Sequence, residues 1–87
     1  MRLDKFLQVT RLVRRRALAN SLCHAGRATV NGQAARPSAT IRTGDVVAVK
    51  IGDRRIRARV LAVPEVRRRN EDDLIEILED VEEATEG

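Results

Sequence analysis

The stretch that decides the fold is residues 26–32, Gly26-Arg27-Ala28-Thr29-Val30-Asn31-Gly32. Asn31-Gly32 is the strongest short signal for a two-residue β-hairpin, because both central residues of that turn need positive φ. The signal predicts a strand over residues 28–30 and a return strand over residues 33–36, ended by Pro37. Gly26 stands where a helix needs a left-handed C-terminal cap, so a helix is predicted to end just before it.

Two short helices are predicted upstream of Gly26. Apolar residues at roughly helical spacing indicate a first helix near residues 4–10, with Asp4 as its N-cap and Leu3 as a hydrophobic staple. Residues 17–25 form a second helix with one apolar face. The connection between them is basic, so the predicted helical hairpin carries a cationic turn.

Two longer strands are predicted downstream, over residues 46–51 and 54–63, with Gly52-Asp53 as the turn between them. In the second strand Arg55, Arg57 and Arg59 alternate with apolar residues, which places the three arginines on one face. These arginines are either a second binding surface, in addition to the cationic turn of the helical hairpin, or a solvated face of the sheet. The predicted fold class is α+β: a helical hairpin packed on a small, mostly antiparallel twisted sheet.

The last part of the chain is predicted to be an appendage. Residues 1–64 form the domain, and residues 65–87 form a basic hinge followed by an acidic C-terminal helix or tail. Asn70 is predicted to cap the helix, whose apolar stripe includes Leu74, Ile75 and Leu78. The stretch 74–78 also permits a strand, and we favour the helix.

Charge is distributed unevenly along the 87 residues. The formal net charge is +4, from 17 Lys+Arg and 13 Asp+Glu. Residues 1–69 hold all 17 bases and four acids, for a net charge of +13, whereas residues 70–87 hold nine acids and no base. Lys5 and Lys50 are the only lysines, and arginine's planar fork suits bidentate contacts with phosphate. This asymmetry indicates nucleic-acid binding.

Size and composition argue against several other classes. No apolar run approaches the length of a membrane span, and the first residues lack the apolar region of a secretory signal. The single Cys23 can form neither an internal disulfide nor a zinc site, and no cofactor or metal is expected. No catalytic arrangement of residues is assembled either. The single aromatic residue, Phe6, is predicted to be core, which leaves no platform for stacking bases.

The motifs, taken in order, carry a family resemblance. They are Arg2-Leu3-Asp4-Lys5-Phe6-Leu7, Arg15-Arg16-Ala17-Leu18-Ala19, Gly26 to Gly32, Pro37-Ser38 and Gly44-Asp45. Together they resemble the S-four RNA-binding domain, named after small-subunit ribosomal protein four, over about residues 1–50. The opening residues and the basic run 11–16 look like the small stand-alone branch of that family. This branch includes RqcP-like ribosome quality-control factors and the related ribosome-associated heat-shock protein, which usually has Trp where Phe6 stands.

The resemblance implies a non-catalytic, cytoplasmic, ribosome-associated RNA-binding factor. RqcP-like proteins bind large-subunit rRNA and the P-site peptidyl-tRNA on split, obstructed large ribosomal subunits, and they assist an alanine-tailing quality-control factor. A heat-shock-type role in recycling large subunits that carry nascent chains is the alternative that the same resemblance leaves open. The chain is expected to act as a monomer and without a membrane.

The predicted RNA-binding residues are mostly cations on and beside the helical hairpin. Arg16 matches the arginine of the family motif, although Arg15 stands where many S-four domains have a Ser or Thr cap. Asn31 has an amide suited to reading a base, but a turn residue chosen for backbone geometry is the simpler interpretation. The full predicted set is Arg2, Lys5, Arg11, Arg14, Arg15, Arg16, Arg27, Asn31 and Arg36.

Two further functional classes fit the sequence less well. A relative of RNA-modifying enzymes such as pseudouridine synthases lacks room for a catalytic domain, and a DNA-binding helix-turn-helix regulator gives the Asn31-Gly32 hairpin no role. For the acidic tail three hypotheses stay open. It folds over the arginine face and competes with RNA, packs its apolar stripe on the sheet, or docks a partner protein.

Overall fold

The computed structural model describes residues 1–64 and 74–82 and contains two helices and five strands. In chain order these are α1 (Leu3–Val9), α2 (Arg16–His24), β1 (Ala28–Val30), β2 (Gln33–Ala34), β3 (Val46–Ile51), β4 (Arg54–Val60) and β5 (Ile75–Glu82). The strands form one antiparallel sheet in the order β2-β1-β3-β4-β5. The predicted α+β architecture, a helical hairpin packed on an antiparallel sheet, is confirmed.

Helix α1 begins one residue earlier than predicted, and Asp4 is not its N-cap. Arg2 occupies the cap position without a side-chain hydrogen bond. The first two helical N–H groups, of Leu3 and Asp4, donate instead to the carbonyls of Ala39 and Pro37, at 2.8 and 3.1 Å. The loop after β2 therefore supplies the acceptors that an N-cap side chain would otherwise provide.

Positive φ angles end α2 and turn the first hairpin, as predicted. Gly26 has φ +74°, and the N–H groups of Gly26 and Arg27 donate to the carbonyls of Cys23 and Leu22, which completes a Schellman motif. Asn31 and Gly32 have φ of 53° and 84°, the signs that a type I′ turn requires. The return strand β2 is shorter than predicted and ends at Ala34.

Strands β3 and β4 pair in register from Val46 opposite Arg59 to Ile51 opposite Arg54. Along β4 the alternate residues Ile56, Ala58 and Val60 are buried and the intervening arginines are exposed, so the predicted period-two pattern is confirmed. Strand β4 ends at Val60 rather than at residue 63.

Residues 75–82 form a strand, so the preferred prediction of a C-terminal helix there is wrong. Strand β5 pairs with β4 from Ile75 opposite Val60 to Glu82 opposite Arg54, with a register irregularity between Arg57 and Ala58. The backbone edge of β4 supplies the hydrogen bonds, and the β-branched residues of this segment suit a strand. The predicted cap Asn70 and the first helical turn after it lie outside the described residues.

The core lies between the helices and one face of the sheet. Leu3, Phe6 and Leu7 of α1 are fully buried, and Phe6 is a core residue as predicted. Cys23 is buried with a free thiol, and burial raises its pKa. The remaining cluster members are Val13, Ala19, Leu22, Ala28, Ile41, Val47, Val49, Ile56, Ala58 and Val60. No helix in the described residues is long and apolar enough to span a membrane.

Replacing Gly26 with alanine tests the Schellman cap. An added Cβ would meet no atom within 4 Å, so the cost comes from the left-handed backbone alone. We expect Gly26→Ala to lower the free energy of unfolding by about 1 kcal/mol in urea denaturation. Gly26→Asn should cost less, because asparagine tolerates this conformation. Equal losses for the two variants would contradict this account.

Candidate nucleic-acid interface

A buried carboxylate joins the starts of the two helices. The side chain of Asp4 is only 3% exposed, although it carries a charge. Arg2 Nε donates to Asp4 Oδ1 at 3.2 Å, and Arg2 Nη2 donates to Oδ2 at 3.3 Å. Arg16 Nε lies 3.4 Å from the same Oδ2. The backbone N–H of Lys5 also donates to Oδ1, at 2.8 Å. One carboxylate therefore fixes two arginines that are 14 residues apart in the chain.

The cluster keeps Asp4 ionised. Burial raises the pKa of the Asp4 carboxyl, but the contacts with Arg2 and Arg16 and the Lys5 N–H lower it by more, so this pKa lies below its ordinary value. Because the folded-state pKa is depressed, the stability that Asp4 contributes is present above about pH 4 and is lost as the pH falls through that lower pKa.

The two arginines remain available to solvent. Half of each side chain is exposed, 51% for Arg2 and 50% for Arg16. Asp4 contacts Nε and Nη2 of Arg2 and Nε of Arg16, and each guanidinium has five N–H groups, so one shared carboxylate leaves donors of both arginines for another ligand. Arg16 is also the first residue of α2, where the helix dipole adds positive potential. The pair can therefore bind phosphate oxygens while Asp4 holds it in place.

The cations on and around the helical hairpin are exposed and have no acidic partner in the part of the chain that the structure describes. They are Lys5, Arg11, Arg14 and Arg15. Arg15 occupies the N-cap position of α2 in an extended conformation, without a side-chain cap. Over residues 1–53 ten bases stand against three acids, a net charge of +7.

Arg36 and Arg27 lie outside the two helices, in the loop after β2 and before β1, respectively. Arg36 precedes Pro37, whose carbonyl accepts the N–H of Asp4, so its loop is anchored to the start of α1. A shallow groove of about 310 Å³ beside Arg36 is lined by the end of α2 and by residues 34–37. Arg27 lies between α2 and β1, where its carbonyl accepts the N–H of Lys50.

The amide of Asn31 is used within the protein. Its Oδ1 accepts the N–H of Val46 at 2.9 Å, and its Nδ2 donates to Asp45 Oδ1 at 3.1 Å. These bonds tie the β1–β2 turn to the start of β3. The arrangement favours the turn interpretation of Asn31 over base reading.

Asp4 is the residue of this surface that the sequence reasoning missed, because an acid near a helix start was interpreted as a cap. A signal for it exists. Residue 4 stands one turn before Leu7, at i and i+3 spacing, so it lies on the apolar side of the helix, and a charged residue there needs a partner. Among the described residues, no group of three His, Cys, Asp or Glu side chains is placed to hold a metal ion.

The amino-acid sequence is similar to one family of known proteins. The family model described as the S4 domain matches residues 1–47. An RQC P-site tRNA stabilizing factor from Halalkalibacterium halodurans is 41% identical over 82% of this chain and 81% of its own length. The factor of the same name from Bacillus subtilis is 37% identical over 82% of this chain and 83% of its length.

Solved structures share the fold. A trimeric structure of heat shock protein 15 from Vibrio cholerae matches with a TM-score of 0.78 and 26% identity, over 88% of this chain and 80% of that chain. A solution structure of a second, hypothetical protein matches with a TM-score of 0.74 and 31% identity, over 88% of this chain and 95% of that chain.

Arg11 offers a test of the backbone that presents these cations. It has φ 63°, a left-handed conformation that costs an L-residue about 1 kcal/mol. We expect Arg11→Gly to be more stable than Arg11→Ala by about that amount in urea denaturation, since both variants lack the charge. A glycine variant no more stable than the alanine variant would show that the turn is not strained.

Proposed function

The chain belongs to the S4 domain family and, within it, to the RQC P-site tRNA stabilizing factors, and we propose that it binds structured RNA on obstructed large ribosomal subunits. Its RNA ligands are large-subunit rRNA and the P-site peptidyl-tRNA. By holding that tRNA on the split subunit, it supports alanine tailing by a separate quality-control factor. This role is one of binding, without catalysis, and it places the protein in the cytoplasm on the ribosome.

The observation that carries this proposal is the surface built around Asp4. Arg2 and Arg16 are half exposed and are fixed by one buried carboxylate, and the same helical hairpin carries four cations that have no acidic partner within residues 1–64 and 74–82. Two guanidinium groups held side by side suit neighbouring phosphates of a folded strand, because their geometry exists before RNA arrives.

The absence of exposed aromatic side chains bears on how RNA is recognised. The only aromatic residue, Phe6, is fully buried, so bases cannot stack on an aromatic platform. Recognition then depends on phosphates, 2′-OH groups and the shape of a folded RNA. About 4–6 phosphate contacts would make the affinity fall steeply with salt.

A heat-shock-type role is the second candidate, and the structural likeness to heat shock protein 15 favours it. In that role the protein recycles large subunits that carry nascent chains. Both roles use the same RNA surface. They differ in outcome, since only the quality-control role requires alanine tails to disappear when the protein is removed.

Co-sedimentation with large ribosomal subunits tests the RNA surface. We expect Arg16→Ala to weaken binding about 10-fold at moderate salt and to make the slope of log K against log salt shallower by about 1, because one phosphate contact is lost. Arg57→Ala, which removes an exposed arginine of β4, should change binding much less. The proposal is refuted if Arg16→Ala sediments with large subunits as well as the wild type does. It is also refuted if the wild type binds duplex DNA more tightly than an RNA hairpin.

The variant Asp4→Asn shows whether Asp4 positions the two arginines or acts only through its negative charge, because the two cases change RNA affinity in opposite directions. Removing a negative charge beside RNA strengthens a purely electrostatic interaction, whereas releasing Arg2 and Arg16 weakens a preorganised one. We expect weaker binding, by roughly 5- to 10-fold, at a temperature where the variant remains folded. Glu82→Gln makes the same change in net charge on β5 and should not weaken binding.

A second control accounts for lost stability. Ile56→Ala removes a core side chain of β4 and should cost about 2–5 kcal/mol without touching the Asp4 contacts. If the folded Ile56→Ala protein binds RNA as the wild type does while Asp4→Asn does not, the loss belongs to the cation pair. Tighter binding by Asp4→Asn would reject a positioning role.

A further inference from the structure

Strand β5 places a row of carboxylates against the arginines of β4. Arg54 and Asp80 form a bidentate pair, with Nε to Oδ1 at 2.9 Å and Nη2 to Oδ2 at 2.7 Å. Arg59 Nη1 lies 3.2 Å from Glu76 Oε1, and Arg55 Nε lies 3.6 Å from Glu79 Oε1. Three of the four arginines of β4 are thus paired by the acidic strand, in a part of the molecule separate from Arg2 and Arg16.

The register of the sheet brings these arginines and acids together, Arg59 with the acid directly opposite it, and Arg54 and Arg55 with acids that lie diagonally across the two strands. In an antiparallel sheet, residues directly opposite each other project from the same face. Arg59 lies opposite Glu76 and Arg57 lies opposite Glu79, both on the face away from the core, because the intervening residues of β4 are buried. The match of arginine and acid is therefore a property of the strand pairing.

The pairing cancels the charge of this part of the protein. Strands β4 and β5 contain four arginines and four acids, which are Arg54, Arg55, Arg57, Arg59, Glu76, Glu79, Asp80 and Glu82. Their net charge is zero, whereas residues 1–53 carry +7. The mutual hydrogen bonds also raise the pKa of Arg54 and lower that of Asp80, so both groups stay charged.

We propose that β5 is an electrostatic shield, which masks a second RNA-binding face on β4 and confines RNA to the helical surface around Arg2 and Arg16. The proposal rests on the RNA-binding function argued above. The paired arginines are half exposed, with side-chain exposures of 46–55%, so a phosphate could reach them. Their positive charge is neutralised by the neighbouring carboxylates, so they attract a phosphate only weakly. Surface ion pairs of this kind bind weakly, so the shield acts through the cancelled field rather than through the strength of each pair.

Neutralising the acids should expose the second face. In the triple variant Glu76→Gln, Glu79→Gln and Asp80→Asn, we expect affinity for a short RNA hairpin of unrelated sequence to rise about 10-fold. The slope of log K against log salt should steepen by about 2, since Arg57 and Arg59, which lie on the same face, lose the acids opposite them. An affinity unchanged from the wild type would refute the shield.

A double-mutant cycle distinguishes unmasked arginines from a general gain of positive charge. Arg59→Gln should weaken RNA binding less than about threefold in the wild type and more than about fivefold in the triple variant. Arg16→Ala should weaken binding less in the triple variant than in the wild type, because the second face takes over. Equal effects of each substitution in both backgrounds would show that only net charge matters.

The charge swap Arg59→Glu with Glu76→Arg is the matched control. It keeps the ion pair, the strand partners and the net charge, so RNA affinity should stay at the wild-type value. A gain like that of the triple variant would mean that disturbing the strands, and not unmasking arginine, tightens binding. If the wild type binds no RNA, the proposed function fails. If the wild type binds through Arg16 and the triple variant gains nothing, the shield alone fails.

Discussion

The ionised side chain of Asp4 is the contact on which both the fold and the binding surface depend. A charge on the apolar face of α1 is tolerated only if it is paired, and its partners are supplied by the residue before α1 and the first residue of α2. The same residue donates its N–H to Pro37, which fixes the loop between β2 and β3. One acid thus connects α1, α2 and a loop that approaches from the sheet. The positions of the Arg2 and Arg16 guanidinium groups are therefore fixed by a buried residue, although arginine side chains are flexible on their own.

Features that depend on single residues could be predicted from the sequence. Gly26 and the Asn31-Gly32 pair adopt positive φ because their own chemistry permits it, and these positions fix the end of α2 and the first hairpin. The role of Asp4 could not be predicted in the same way. Its preference for an N-cap is local, but the helix begins before it, because the first helical N–H groups, those of Leu3 and of Asp4 itself, donate to the carbonyls of Ala39 and Pro37, more than 30 residues away.

Residues 75–82 show the same limit more clearly. Their apolar residues fit a helical stripe, and the stretch also permits a strand, so the local pattern does not decide between the two. The decision comes from β4, whose open edge offers backbone partners and whose arginines lie opposite acids. For the candidate site the sequence identified the cations, but which of them are paired follows from strand register and helix packing. In the sequence, Arg55 and Arg59 look like the basic residues of the helical hairpin. In the folded protein they differ from them, because Arg55 and Arg59 contact acids of β5.

Arginine and carboxylate meet at two places in this molecule with opposite consequences, and the ratio of charges explains the difference. At Asp4 one acid serves two arginines, so the cluster keeps a net positive charge and unused N–H groups. Between β4 and β5 three acids each contact one arginine, and the four acids equal the four arginines in number, so no net charge is left to attract a phosphate. An acid in a basic protein therefore orders a binding surface when it is outnumbered and cancels it when it is matched. The formal net charge of +4 conceals this division, because it adds a surface prepared for RNA to one that is neutral.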